Sequence, residues 1–321
     1  MASLRRRAKE LGKQAFRRLF ESGQRLGMDV LPHHFYSEVP DIAMLRRSDE
    51  WKQPRTMIGV TGAGIAEQFA FVESCCTAEM IDVLGGARIH AEACAKNGEP
   101  GFGAVESDFL YAFMRRHRPP RVMQVGCGVS TAIMLRAARD GEFECAITCV
   151  EPFPTRFLEE AERQGRIRLL RQGAEQAPLE TLTGLGSGDL LFVDSTHTVK
   201  PGGEVNRIIL EVLPRLASGA WVHFHDIRFP YDYPRRLLKN ELFFGNESVL
   251  LHAFLIGNGR FQIAASLSML HYADPARLQR SLPAYRPAEN DCGLEAVAGH
   301  FPSSIYLEAR SPDEAADCAR R

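Results

Sequence analysis

The sequence lacks a long apolar run, a paired-cysteine motif and an excess of charge of either sign. No stretch of about 18 apolar residues occurs, so we expect no membrane span. Eight cysteines are present, but none forms a C-x-x-C pair, which favours reduced cysteine in a cytoplasmic protein. The formal net charge is −1, so the whole chain gives no electrostatic reason to bind nucleic acid.

The first 26 residues are predicted to form an amphipathic helix with a basic face. Leu4, Leu11 and Leu19 recur at helical spacing among many arginines and lysines. Such a helix favours packing or formation of a homodimer, and weak contact with a membrane surface is the alternative. No continuous apolar segment follows the basic residues, so we do not expect a secretory signal.

Beyond about residue 101, short apolar segments alternate with helical ones. The predicted strands cover residues 121–126, 145–152, 166–173, 189–195, 220–227, 260–266 and 303–310. Strands that alternate with helices of about ten residues indicate a Rossmann-like, doubly wound parallel α/β sheet. Ligands bind such sheets at the carboxyl ends of the strands, so we expect the chemistry there.

A glycine-containing segment, QVGCGVST, follows the first predicted strand. Gly126 and Gly128 allow the backbone to turn sharply and to approach a ligand closely. A dinucleotide fingerprint requires a third glycine at position 131, so Thr131 disfavours a nicotinamide-dependent oxidoreductase. Glu151 ends the second strand, the position from which a carboxylate accepts hydrogen bonds from ribose hydroxyls.

Ionisable side chains follow the fourth and fifth predicted strands. Asp194 and His197 come after the fourth strand, and His225 and Asp226 come after the fifth. Because these strand ends meet at one edge of the sheet, we expect the four side chains to converge in one cleft. His223 shares a strand face with His225, and we interpret it as a core or supporting residue.

The order of these features resembles that of class I S-adenosylmethionine-dependent methyltransferases. The segment FVDSTHTVKPGGEVNRIILEVLPRLASGAWVHFHDIRFPYDYP resembles the methyltransferase-24-like group, and the likeness extends over about residues 28–309. It implies a seven-stranded sheet whose last strand is antiparallel. It also implies S-adenosylmethionine as the cofactor and a small-molecule acceptor.

The resemblance further implies a set of cofactor-binding residues. That set is Gln124, Gly126, Gly128, Ser130, Glu151, Gly173, Ala174 and Asp194. The glycine loop would line the methionine part, Glu151 would hold the ribose, and Gly173 and Ala174 would lie beside the adenine. Many members carry Glu where this chain has Gln124, which would still hydrogen-bond to the cofactor's amino group but without a charge.

For function, we expect transfer of a methyl group to an oxygen of a natural product, a sugar or a lipid-linked metabolite. Asp194, His197 and His225 are the candidate catalytic residues, with either histidine as the base. Alternatively, the resemblance to oxygen methyltransferases implies that Asp194, His225 and Asp226 hold a divalent metal, and the histidine suits a softer ion than magnesium. A non-catalytic cofactor-binding or interaction protein on the same fold is the competing hypothesis.

We divide the chain into three parts. Residues 1–100 form a helical N-terminal extension that caps the site, residues 101–311 form the methyltransferase domain, and residues 312–321 form a C-terminal tail. Within the domain, we expect an insert over the acceptor site at residues 267–302.

Overall fold

The structure is a computed structural model that describes residues 2–238, 243–291, 293–297 and 300–311, and for residues 2–10 it describes the backbone alone. The chain divides into two compact units, Met1–Asp49 and Glu50–Arg321. Among these described residues, no helix has both the length and the apolar character that a membrane crossing requires.

The first unit consists mainly of one long helix. Its helices are α1 (Ala2–Arg25) and α2 (Ile42–Leu45). Helix α1 agrees with the predicted basic amphipathic helix, and the chain turns back after it through hydrogen bonds to the carbonyl of Gly23. Asp41 caps the start of helix α2, and its carboxylate accepts the amide hydrogens of Ala43 and Met44.

The second unit is built on a seven-stranded mixed sheet. Its strands are β1 (Arg121–Val125), β2 (Ala146–Val150), β3 (Ile167–Leu170), β4 (Leu190–Val193), β5 (Trp221–Phe224), β6 (Phe261–Ser266), β7 (Pro287–Asn290), β8 (Gly293–Ala296) and β9 (Ile305–Ala309). The sheet has the order β3-β2-β1-β4-β5-β9-β6, and β9 is antiparallel to both of its neighbours. The predicted fold class is confirmed.

Strands β7 and β8 form a separate antiparallel pair that the sequence analysis did not predict. The segment Pro287–Asn290 has no alternation of apolar and polar residues, and it is half-buried to exposed.

Helices cover both faces of the sheet. They are α3 (Ile65–Cys75), α4 (Ala78–Gly86), α5 (Ile89–Asn97), α6 (Ala104–His117), α7 (Val129–Asp140), α8 (Arg156–Arg163), α9 (Leu179–Thr183), α10 (Glu204–Arg207), α11 (Glu247–Leu255), α12 (Leu267–Ala273) and α13 (Pro275–Ser281). A 3₁₀ turn covers Glu50–Lys52. Helix α10 is followed directly by a π-helical turn (Ile208–Val212) and a 3₁₀ turn (Leu213–Arg215).

The strand side chains alternate between two apolar layers. Val122, Leu190 and Phe192 pack into the layer formed with α3, α6 and α7, whereas Leu191 and Val193 pack into the opposite layer. This alternation with a period of two residues fixes the register of each strand, because a slip by one residue would exchange its two faces. It also fixes which side chains emerge where each strand ends.

Helices α3 to α5 are part of the same folded body as the sheet. Helix α3 packs against β6 and α6, and α5 packs against α6 and α7. The insert at residues 267–302 contains α12, α13, β7 and β8, and its two helices pack against α3. A functional boundary near residue 100 and a position of the insert over the acceptor site stay predictions.

Candidate active site

Hydrogen bonds between uncharged groups hold the glycine loop that follows β1. The side-chain amide of Gln124 donates to the carbonyl of Gly126, at 3.1 Å, and to Ser130 Oγ, at 2.8 Å. Its carbonyl accepts the hydroxyl of Thr131, at 2.8 Å, and Thr131 Oγ1 accepts the amide of Gly128. Because Gln124 is fully buried and its polar atoms are all used, it acts in this structure as a support for the loop.

Position 126 requires a glycine, because the backbone of another segment lies very close to it. Its φ is +77°, in the left-handed region that favours glycine. A side chain here would collide with the carbonyl oxygen of Asp194, the first residue after β4. The glycine loop is therefore in direct contact with the segment that carries the predicted catalytic residues.

An open cleft lies over the glycine loop, and we call it the glycine cleft. It encloses about 690 Å³ and is lined by Asn97, Glu99, Pro100, Gly101, Phe102, Gly126, Cys127, Gly128, Val129, Ser130, Glu151, Phe153, Thr155 and Asp194. Five of the eight predicted cofactor residues line it, namely Gly126, Gly128, Ser130, Glu151 and Asp194.

The other three predicted cofactor residues, Gln124, Gly173 and Ala174, are not among the residues that line the glycine cleft. Ala174 is almost fully buried, and its carbonyl accepts a hydrogen bond from Arg207. Glu151 lies at the cleft, where its carboxylate accepts the backbone amides of Cys127 and Phe153, each at 3.0 Å. These bonds fix the carboxylate beside the loop.

The four ionisable residues predicted to converge do lie together. Asp194 Oδ1 is 3.5 Å from His197 Nε2 and 3.2 Å from His225 Nδ1. Asp226 Oδ2 is 3.7 Å from His197 Nε2 and 3.8 Å from His225 Nδ1. Two neighbouring strand ends therefore bring two carboxylates and two imidazoles around one point.

Two further carboxylates approach the histidines from the other side. Glu247 Oε2 is hydrogen-bonded to His197 Nδ1 at 2.8 Å, and Glu106 Oε1 lies 3.2 Å from His225 Nε2. We call these two residues, together with Asp194, His197, His225 and Asp226, the polar cluster. Glu106 was missed in the sequence, where an acid in the first turn of a helix has no distinctive signal.

The sheet order and this site can be compared with those of known proteins. Residues 123–227, from β1 to just past β5, match the family model Methyltransf_24, which is described as a methyltransferase domain. Over this segment, about a third of the chain, the sequence is similar to methyltransferases. No protein of curated function matches the chain.

Several solved structures are similar to the chain at low sequence identity. The methyltransferase PaMTH1 from Podospora anserina, solved with SAH, is 15% identical, covers 88% of this chain and 99% of its own, and has a TM-score of 0.37. Cofactor-bound Rv0187 from MTB is 16% identical, covers 73% and 95%, and has a TM-score of 0.41. The plantazolicin methyltransferase BamL, solved with SAH, is 11% identical, covers 77% and 97%, and has a TM-score of 0.40.

Beside the glycine cleft, the chain has a second pocket, which we call the arginine pocket. It encloses about 720 Å³ and is lined by His197, Asp226, Arg228, Asp232, Pro234, Arg236, Leu237, Phe243, Gly245, Glu247 and Ser248. Tyr231 and Tyr233, in the loop after β5, are not among these residues. The ring of Tyr231 instead packs edge-on against Tyr272.

The polar cluster shifts the acid–base properties of its members. Burial alone would lower the pKa of His197, but Asp194 and Glu247 outweigh it and raise that pKa to about 10. Burial likewise opposes a charge on His225, yet Asp194, Glu106 and Asp226 raise its pKa well above the usual range. Burial would raise the pKa of Asp194, but the two histidines hold it well below its ordinary value. The polar cluster thus favours the protonated form of both rings at neutral pH.

Backbone strain is concentrated at this site. His197, Asp226 and Phe102 have φ values of +56°, +55° and +41°, in the left-handed region that residues other than glycine rarely adopt. Each such residue costs on the order of 1–3 kcal/mol. Strain of this kind is typical of side chains that must be aimed at one point, and His197 and Asp226 both point into the polar cluster.

His223 belongs to the core, as we interpreted it. Its ring stacks on Phe192 at 4.1 Å between centroids, and its Nε2 lies 2.9 Å from Ser304 Oγ. Burial, followed by the charge of His225, lowers its pKa well below the usual value. His223 is therefore neutral, and it supports His225 without facing either opening.

Proposed function

We propose that the methyltransferase transfers a methyl group to an oxygen of a small-molecule acceptor, such as a natural product, a sugar or a lipid-linked metabolite. The observation that carries this proposal is the position of the polar cluster between two openings. Asp194 lines the glycine cleft, whereas His197 and Asp226 line the arginine pocket. A donor in the first opening and an acceptor in the second would meet at these side chains.

We assign the cofactor to the glycine cleft. Bound S-adenosylmethionine supplies an electrophilic methyl group on a positively charged sulfur. The glycine loop allows the methionine part to approach the backbone, and Glu151 offers a carboxylate to the ribose hydroxyls. Asp194, at the far end of the same cleft, places a negative charge on the side of the acceptor.

We assign the acceptor to the arginine pocket. Its wall combines Arg228 and Arg236 with apolar Leu237 and Phe243. Such a surface suits a small acceptor that has hydroxyl or acidic groups as well as an apolar part. The residues of the polar cluster would hold the reacting hydroxyl and receive its proton as the oxygen–methyl bond forms.

Alignment of donor and acceptor accounts for much of the rate in this proposal. Correct placement of two reactants contributes about 7–11 kcal/mol. A positioned base adds about 10²–10⁴-fold, and Asp194, His197 and His225 are the groups that we assign to the chemistry. Because both histidines hold protons in the free enzyme, one proton must leave before either ring can act as the base.

Calorimetry with S-adenosylmethionine and with S-adenosylhomocysteine tests the cofactor site. We expect both to bind the wild type and Gly128→Asp to abolish binding, because the new carboxylate enters the glycine cleft. Gly85→Asp is the matched control, since Gly85 is exposed and its surroundings are empty. Absence of binding at millimolar cofactor would refute the assignment.

Turnover separates an enzyme from a binding protein on the same fold. Release of S-adenosylhomocysteine is measured with panels of hydroxylated, amine-containing and carbon-nucleophile acceptors. We expect a hydroxylated compound to support turnover. Cofactor binding with no turnover on any panel would favour the non-catalytic alternative.

The cellular setting of the enzyme is a separate proposal. We propose a cytoplasmic enzyme that forms a homodimer through α1, where Leu11, Phe16 and Leu19 are exposed. Light scattering of wild type and Leu19→Asp tests the dimer. A monomeric wild type that binds anionic vesicles would favour the membrane-surface alternative.

A further inference from the structure

Part of the glycine cleft is formed by residues outside the segment 123–227 that matches the family model. They lie at the end of α5 and in the segment that leads to α6, and they are Asn97, Glu99, Pro100, Gly101 and Phe102. We call residues 97–102 the α5 wall. A ligand in the glycine cleft would therefore contact a part of the chain that the family model does not cover.

Side-chain hydrogen bonds fix the α5 wall next to the glycine loop. Asn97 is only 9% exposed, and its amide nitrogen donates to the carbonyl of Glu99 at 3.3 Å. The side-chain oxygen of Asn97 accepts the hydroxyl of Thr155 at 2.9 Å. A Cβ atom at Gly128 would lie only 3.1 Å from the amide nitrogen of Asn97. The backbone of Glu99 is therefore held close to Gly128, in the part of the cleft that the glycine loop lines.

The charges of the glycine cleft are all negative. Three carboxylates line it, and no lysine, arginine or histidine is among the described residues that do so. Glu151 accepts two backbone amides, and Asp194 lies beside His197 and His225. The carboxylate of Glu99, in contrast, has no hydrogen bond or ion pair with any residue that the structure describes. Its negative charge is available to a ligand in the cleft.

The proposed cofactor brings a positive charge to this cleft. The methionine part of S-adenosylmethionine carries an ammonium group, which forms its strongest hydrogen bonds with a carboxylate. Gln124 cannot supply a negative charge, because its side chain is neutral, and its carbonyl accepts the hydroxyl of Thr131. Glu151 is assigned to the ribose. By elimination, Glu99 is the carboxylate of the cleft that remains for the ammonium group.

We propose that the carboxylate of Glu99 binds the ammonium group of the cofactor and supplies the charge that Gln124 lacks. The inference rests on the proposed function, because it requires S-adenosylmethionine in the glycine cleft. The carboxylate of the same methionine part would face the start of α7, where Val129 and Ser130 line the cleft. The first amides of a helix have no partner within it and attract anions.

Calorimetry with two ligands tests the role of Glu99. S-adenosylhomocysteine carries the ammonium group, whereas 5′-methylthioadenosine has the same adenosine and sulfur but lacks both the ammonium and the carboxylate. Glu99→Gln should weaken binding of S-adenosylhomocysteine about tenfold, because a hydrogen bond between charged groups is lost. Binding of 5′-methylthioadenosine should change by less than about twofold. An equal loss with both ligands would overturn the proposal, since Glu99 would then act on the shape of the cleft.

The salt dependence of the same titrations is the second measurement. Because Glu99 is exposed, its attraction for the ammonium group is screened by salt. The ratio of the affinities of wild type and Glu99→Gln for S-adenosylhomocysteine should therefore fall from about tenfold at low salt toward about twofold at about 1 M NaCl. A ratio that does not change with salt would contradict an interaction between charges.

Glu144→Gln is the matched control. It removes the same charge from an exposed position, and Glu144 is not among the residues that line the glycine cleft. We expect its affinity for both ligands to equal that of the wild type, and thermal unfolding checks that both variants are folded. A loss of affinity in Glu144→Gln as large as that in Glu99→Gln would overturn the assignment to Glu99.

The wild type separates failure of this inference from failure of the proposed function. No binding of S-adenosylhomocysteine to the wild type at millimolar concentration would overturn both, because the cofactor site itself would be refuted. Binding to the wild type that Glu99→Gln leaves unchanged would refute the role of Glu99 alone.

Discussion

The two halves of the site, the glycine loop and the polar cluster, differ in how their buried polar groups are paired. Around the glycine loop, neutral groups are fully paired, and Gln124 uses its whole amide to hold Gly126, Ser130 and Thr131. In the polar cluster, charged groups crowd together, and His225 and Glu247 keep atoms without partners. The hydrogen bonds named around the glycine loop use the whole Gln124 amide. The polar cluster keeps buried atoms without partners, an arrangement that suits a bound ligand.

This difference shows how to distinguish buried polar residues that hold the fold from those that bind a ligand or take part in a reaction. A fully paired network lowers the free energy of the folded chain and can hold a loop in one shape. An incompletely paired one is destabilising, and it persists when a ligand or a reaction uses it. The variants below test that distinction, from the largest expected effect to the smallest.

The largest effect is expected from His225→Ala in the polar cluster. Turnover should fall about 10²–10⁴-fold, whether the ring moves a proton or holds an ion. Cofactor affinity should change little, because His225 is not among the residues that line the glycine cleft. The measurement is the rate of S-adenosylhomocysteine release with the first acceptor that supports turnover.

His223→Phe is the control on the same strand face. A phenyl ring at this position should keep the packing on Phe192, so we expect turnover of the same order as in the wild type. Full turnover in His225→Ala would remove this residue from the chemistry and weaken the contrast between the two halves.

A smaller effect, on folding stability, is expected from Gln124→Leu in the glycine loop. This change leaves the buried hydroxyls of Ser130 and Thr131 without their partner, which costs about 1–3 kcal/mol of the free energy of unfolding. Urea denaturation measures it. Gln164→Leu, at an exposed helix end, is the control and should stay within about 0.5 kcal/mol. A Gln124→Leu variant as stable as wild type would show that the network does not support the loop.

The smallest effect is expected outside both halves, at Asp108 in α6. Burial raises the pKa of its carboxyl to about 7, partly opposed by a hydrogen bond from the backbone of Ala284. The pKa of an aspartate in an unfolded chain is near 3.9. The stability that the protonated Asp108 carboxyl contributes is therefore fully present below about pH 4, and it is lost as the pH rises through 7. Asp108→Asn should therefore be more stable than wild type at pH 8 by at least about 1 kcal/mol.

Thermal unfolding at pH 5 and pH 8 checks this expectation, and the advantage of the variant should be smaller at the lower pH. An equal difference at both pH values would show that the carboxyl is not held neutral by burial.

The sequence predicted the parts of the site that follow from sheet geometry. Residues that follow parallel strands meet at one edge, so Glu151, Asp194 and His225 could be placed together without coordinates. The strands themselves were recognisable because buried parallel strands are short, almost wholly apolar segments between glycines and helices.

The remaining parts depend on packing that a single sequence does not reveal. Glu106 reaches His225 only because α6 packs on one face of the sheet at a particular rotation, and Ser303 meets it through the return of the chain into β9. The pairing of Gln124 with Ser130 and Thr131, which supports the loop, is one such contact, and contact of Gln124 with the cofactor stays a prediction. Such contacts depend on the relative rotation of elements, which the hydrophobic pattern does not determine.

The contact of Gly126 with the carbonyl of Asp194 has a consequence for how this enzyme could change over time. Because backbone touches backbone, no side chain sets the spacing between the loop and the polar cluster. Under the proposed function, substitutions in the arginine pocket would therefore alter which acceptor is taken while the donor stays at the same distance from the reacting group. The range of substrates would then be free to diverge while the alignment of donor and acceptor is inherited unchanged.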